Sequence, residues 1–274
     1  MRKGIRNRWL LNLGLLAAIA LLLLLLPSEE KQPTTETTLA GFLPADIQTI
    51  RIMRAGKADI LFEKPAGVWR MVVPYAVNAD PALIRNLLSI RSLRVHLQTD
   101  SSTIQLADFA LQEPAVSLTL NQTRIDFGTV QPVGNLRYLL LDDKLMLVDD
   151  NMQELLNTSS LSYIDRQLIP ANASIKSIRI DGQAVDLNAA WAAARANWIS
   201  LHAPDAAGKA DSAEGTPVEI ELKDTGTIMR FIAQKREADG VLIRDEPAIE
   251  YHISHDDMAE LGLTAAASDA KPQE

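Results

Sequence analysis

The residues His252, Ile253, Ser254 and His255, followed by Asp256 and Asp257, form the one stretch of this chain whose spacing suits a metal ion. On a helix, His252 and His255 would share a face with a neighbouring carboxylate, as a zinc or other divalent site requires. The competing reading is local. Residues 251–253 look like a strand end and Asp256 like a helix cap, which would aim the two rings apart. Asp142 with Asp143, and Asp149 with Asp150, are paired carboxylates on either side of a strand at 144–148, and hairpin-turn and helix-cap roles account for them. Trp191 and Trp198 stand seven residues apart across an Ala-rich segment. On one helix they would share a face, either inside the core or as an aromatic patch for a partner.

Other chemistry is missing. The chain has no Gly-x-Ser-x-Gly elbow, no phosphate-cradling Gly-rich loop ending in Lys and Ser or Thr, and no cysteine. No catalytic residue and no cofactor is therefore assigned, and the metal reading rests on His252 and His255 alone. The Asn-x-Ser/Thr triplets at Asn121, Asn157 and Asn172 are short enough to arise by chance. The lack of cysteine also excludes a lipoprotein anchor and disulfides.

The elements that must carry these residues read as α+β: short antiparallel strand meanders with covering helices. Strands are expected at 49–53, 58–63 and 68–72, with turns around Gly56 and Gly67 and with Trp69 as a large core residue. Asp80 as N-cap and Pro81 at the first helical position open a helix with Leu83, Ile84, Leu87 and Leu88 on one face. A second strand group follows at 116–120, 123–127, 136–141 and 145–148. Asp149 to Asn151 then cap a short helix carrying Met152, Leu155 and Leu156.

The second half repeats this plan. Residues 47–52 (IQTIRI) match 175–180 (IKSIRI), 116–120 match 218–222 in alternation, and 150–155 (DNMQEL) match 256–261 (DDMAEL) in the same order. The middle departs, with an Ala-rich 188–196 and an insert at 203–217. We therefore expect two related α+β domains, 39–170 and 171–263, and a tail at 264–274.

Residues 10–26 contain no charge and, apart from Asn12 and Gly14, only Leu, Ala and Ile. Seventeen helical residues rise roughly 25 Å, close to the hydrocarbon thickness of a bilayer, and Trp9 extends them. Arg2, Lys3, Arg6 and Arg8 precede the stretch, while Glu29 and Glu30 follow. The positive-inside bias then keeps a basic tip, 1–8, in the cytoplasm. A signal-anchor at 9–27 and a Pro-bearing linker at 28–38 would hold the rest in the periplasm. A cleaved signal peptide shares the basic start and apolar middle, but the run is long for one and lacks a small-x-small cleavage triplet. The 27 Lys and Arg against 35 Asp and Glu give a formal charge of −8, and −12 once the four N-terminal cations are set aside. Such a domain is repelled by nucleic acid and anionic headgroups.

Several of these segments resemble a family of bacterial proteins known as domain of unknown function 4340. They are Gly67 to Met71, Asn78 to Asp80 opening a Leu-rich helix, Leu106 to Leu111 with Pro114, 116–120, Phe127 with Gly128, Tyr138, and 145–148. The resemblance covers roughly 40–170, and Ala110 stands where the family pattern has Gly. It implies a membrane-anchored, extracytoplasmic accessory subunit beside ABC-type export and gliding-motility components, and it transfers no catalytic residues.

Three functions compete on these grounds. The first is an interaction protein, an accessory subunit of an ABC-type transport complex that contacts the bilayer through 9–27 and a permease or other membrane proteins through its domain, with Trp191 and Trp198 as interaction candidates. The second is a module that binds a small ligand between the two halves. The third is metal-assisted hydrolysis at His252 and His255.

Overall fold

Alternating apolar residues dominate the chain from Thr49 onward, and they build strands. The computed structural model describes residues 37–132, 134–202, 215–244 and 246–263. The proposed anchor at 9–27, linker residues 28–36, insert residues 203–214 and the tail at 264–274 lie outside the described residues. Among the described residues, no helix is long and apolar enough to cross a membrane.

The first half forms β1 (Thr49–Arg54), β2 (Ile60–Glu63), β3 (Arg70–Val73), β4 (Val77–Asn78), α1 (Pro81–Leu88), β5 (Val95–Asp100), β6 (Val116–Leu120), β7 (Thr123–Val130), β8 (Leu136–Leu141), β9 (Lys144–Asp149) and α2 (Gln153–Asn157). The second forms β10 (Ile175–Ile180), β11 (Gln183–Val185), α3 (Asn188–Ala193), β12 (Trp198–Leu201), β13 (Thr216–Leu222), β14 (Ile228–Lys235), β15 (Gly240–Arg244), β16 (Ile249–Ile253) and α4 (His255–Glu260). These residues make two antiparallel sheets with a few short helices. The strand orders are β4-β3-β2-β1-β6-β7-β8-β9-β5 and β11-β10-β13-β14-β15-β16-β12. Written side by side, the second order is the first without β3 and β4.

Side chains on alternate positions explain the pairing. Ile50 and Ile52 of β1 face the core opposite Leu120 and Leu118 of β6, while Ile178 and Ile180 of β10 stand opposite Ile220 and Val218 of β13. The buried residues of both sheets join in one continuous apolar cluster. Phe62 and Tyr163 meet edge to face within it, with centroids 5.3 Å apart. α1 buries Ile84 and Leu87 and is capped as expected, the Asp80 carboxylate accepting from the N–H groups of Ala82 and Leu83. The turn between β8 and β9 is the expected Asp142-Asp143 pair, with Asp142 at a φ of 51°.

Four local expectations fail for identifiable reasons. Trp69 is only partly buried, with Lys64 Nζ 5.7 Å above its ring; Trp191 fills the core instead. Asp150 does not cap α2, whose N-cap is Met152, because its carboxylate is drawn to Arg137 at 2.8 and 3.0 Å. Asp256 does not cap α4 either. Ser254 does, in a capping box with Asp257. Finally, Thr216 and Pro217 belong to β13 rather than to an insert.

Candidate functional site

Two places in the described residues gather polar side chains against apolar walls. The first is a cavity of about 440 Å³ where the β3–β4 edge of the first sheet, the connecting segment after Tyr163, the β13–β14 turn and the ends of β15 and β16 meet. That volume lies within the range of small-molecule sites. Val68, Val77, Leu168 and Met229 line it with apolar surface, and Asn78, Asp165, Arg244 and Tyr251 bring polar groups to it.

The main chain positions Asp165, whose N–H donates to the carbonyl of Asn78 at 2.9 Å and so ties the connecting segment to β4. Its Oδ1 accepts from the N–H of Gln167 at 3.0 Å, while Oδ2 accepts no hydrogen bond among the described residues. Burial pushes this carboxyl above its ordinary range. The Gln167 N–H opposes the rise, the Asp80 carboxylate adds to it, and Arg195 works against it. Burial likewise raises the Tyr251 phenol, against the pull of the Arg244 guanidinium bonded to it.

The second place lies around the edge strand β12, and it collects several of the residues singled out in the sequence. His252 is buried on β16, opposite Trp198 in register. Its Nδ1 stands 2.6 Å from Asp239 Oδ2, and its Nε2 stands 2.9 Å from Ser200 Oγ. Glu250, two residues earlier and also buried, is bonded by Arg236 at 2.7 and 3.0 Å, by His202 Nδ1 at 2.8 Å and by Ser200 Oγ at 3.1 Å. Burial alone would raise Glu250. The Arg236 and His202 hydrogen bonds outweigh it and hold the carboxyl at about 2.

Asp239, His252 and Ser200 have the connectivity of a hydrolytic triad. Glu250 changes what that connectivity does. A serine hydroxyl has one hydrogen, and Ser200 Oγ stands between two groups that can accept it, His252 Nε2 at 2.9 Å and Glu250 Oε2 at 3.1 Å. Given to Glu250, that hydrogen is not available to the histidine, and the serine is then not activated as a nucleophile. The cluster is a closed polar network that fixes the His252 ring.

The other candidates separate. His255 bonds the carbonyl of Arg236 at 2.9 Å through Nε2, on different partners from His252, because the strand ends at Ile253 and α4 starts at His255. No group of three or more metal-ligating side chains is present among the described residues. Trp191 and Trp198 do not share a helix face. α3 stops at Ala193, Ala194 is extended, and Trp198 belongs to a strand. Trp191 is fully buried, its Nε1 donating to the carbonyl of Leu261 at 3.3 Å, and so it is withdrawn as an interaction candidate; Trp198 is half exposed. Sequence reasoning missed Asp165, Ser200, His202, Arg236, Asp239 and Glu250. They lie scattered between 165 and 250, and only register and chain reversal bring them together.

No curated protein and no solved structure matches the chain. A family model does match, over residues 69–248, from β3 to β15, so it starts later than the 40–170 covered by the resemblance in the sequence and extends well into the second sheet. The chain belongs to the family described as domain of unknown function DUF4340.

Proposed function

We propose that this protein binds rather than transforms its targets: a single-pass inner-membrane protein whose periplasmic domain serves as an accessory subunit of an ABC-type transport complex and recognises a small ligand between its sheets. The observation that carries the reading is the 440 Å³ cavity, walled by elements of both sheets and holding the buried carboxyl of Asp165. The membrane placement rests on the uncharged 10–26 and its basic flank. The transport partner rests on the family resemblance. The coincident strand orders support a tandem duplication, and junctions between such halves favour pockets.

A gentle-detergent pull-down of the full-length chain from its native membrane tests the partner, with a form lacking residues 1–38 as control. Recovery of a permease and an ATPase with the anchored form alone is the expected result. Recovery of no membrane protein at any detergent strength would discard the accessory-subunit reading and leave the cavity to be judged by ligand binding.

A further inference from the structure

The cavity has one feature that its walls do not explain. Asp165 is more than nine-tenths buried, lines the cavity, and uses only one carboxylate oxygen, Oδ1, on Gln167 N–H. Oδ2 is not among the sealed polar atoms of the fold, so it is reachable from the cavity that Asp165 lines, and a carboxylate on a largely buried side chain gains most from a charged donor. Nothing in the fold calls for an acid at this point, because its main-chain tie to Asn78 is made by the N–H and needs no particular side chain.

The surrounding charge indicates what is missing. Asp80 is close enough to raise the Asp165 carboxyl, and the one cation acting on both is Arg195, which is more than half exposed and 3.6 Å from Asp80 Oδ2. Two carboxylates thus share one solvent-screened guanidinium. A hydroxyl or neutral amide placed on Oδ2 would satisfy the lone pair but leave the charge; an ammonium would do both. The other walls are mixed: Arg70, Asp224 and Arg244 also line the cavity, Arg244 bonded to the Tyr251 phenol, while Val68, Val77, Leu168 and Met229 offer apolar surface that suits a hydrocarbon body.

We propose that the cavity takes a small ligand with a protonated amino group on an apolar body, the amino group donating to Asp165 Oδ2 and the body lying against Val68, Val77, Leu168 and Met229. This inference rests on reading the cavity as a recognition site. The step is simple ion pairing, with no bond made or broken in the ligand.

Matched probes test it on the full-length protein in detergent. Leucinamide and phenylalanyl-leucinamide carry a free amino group, and their N-acetylated forms keep the body but cannot carry the charge. Calorimetry should show the free amines binding about tenfold or more tighter than the acetylated forms, the fold-change of one charge-assisted hydrogen bond. In Asp165→Asn the preference should vanish. Because the comparison within the unaltered protein already decides the matter, a variant that fails to fold does not shelter the proposal. Acetylated probes binding as tightly as the amines would overturn the amine inference and leave the cavity reading standing. Binding of neither kind would overturn both.

Discussion

The indole of Trp198 lies flat on the imidazole of His252, with centroids 3.4 Å apart and planes 9° from parallel. The contact joins the edge strand β12 to its neighbour β16 on the outer face of the second sheet. His252 cannot turn, since Asp239 and Ser200 hold its two nitrogens, so it presents a fixed surface to the indole. The first sheet solves the same place differently. On β9, which occupies the position of β16, the buried residues Leu145 and Leu147 stand outside the main apolar cluster, where β16 has Glu250 and His252. The fold therefore tolerates an apolar face here, and the polar network is particular to the second half.

Trp198→Ala should cost about 0.5–1.5 kcal/mol, the loss of one aromatic stack at a half-exposed site. Trp191→Ala empties a fully buried position and should cost about 3–5 kcal/mol or prevent folding. Urea unfolding followed by circular dichroism measures both. Equal losses would mean that Trp198 is as deeply packed as Trp191, against its exposure.

Glu250 and Asp165 give stability opposite slopes in acid. The folded state lowers Glu250, so its contribution is complete above the ordinary glutamate range and is lost as pH falls towards about 2. The folded state raises Asp165, so its proton is held more tightly folded than unfolded, and stability falls as pH rises through that interval. Glu250→Gln should flatten the acid loss, and Asp165→Asn should steepen it. Melting temperatures between pH 3 and 7 for the two variants check the signs.

The strand plan was legible because antiparallel strands with one buried face write their alternation into the chain. The matches of 47–52 with 175–180 and of 116–120 with 218–222 fall on β1 with β10 and β6 with β13, strands in equivalent places of the two orders. The sites were not legible. Asp165 looks like any loop aspartate until burial and its Asn78 tie are seen, and Ser200 meets His252 only through strand register. The tryptophan spacing misled because an alanine run suggests helix, whereas α3 ends at Ala193, short of Trp198, in an extended Ala194. Asp150 misled because a cap and a buried partner for Arg137 draw on the same residue type.

That Arg137–Asp150 pair makes its own test. Both side chains are nearly buried, and Arg137 also donates to the carbonyl of Gly128 on β7. Asp150→Ala leaves the guanidinium without its carboxylate, with only neutral acceptors to bond, and should cost about 3–5 kcal/mol. Replacing both partners with apolar residues of similar volume should recover much of that loss. Denaturant midpoints of the single and double variants decide it, and a double variant no better than the single would show that the charge itself holds β7, β8 and the start of α2 together.

Ala110 offers the opposite sign. It ends the short turn Leu106–Phe109 at φ 53° and ψ 35°, the left-handed region that favours glycine. Nothing releases the strain, because the same turn is clamped to the sheet: a Cβ on Gly128 would meet the carbonyl oxygen of Phe109, and Phe109 packs edge to face on Tyr138 at 4.6 Å. A left-handed alanine costs roughly 1–2 kcal/mol, of which the greater freedom of glycine in the unfolded chain returns about 0.5–1 kcal/mol. Ala110→Gly should therefore stabilise the protein by about 0.5–1 kcal/mol, while Gly128→Ala should destabilise it by pushing that turn off β7. Melting temperatures that rise for the first variant and fall for the second would place the turn's geometry, rather than its composition, in control.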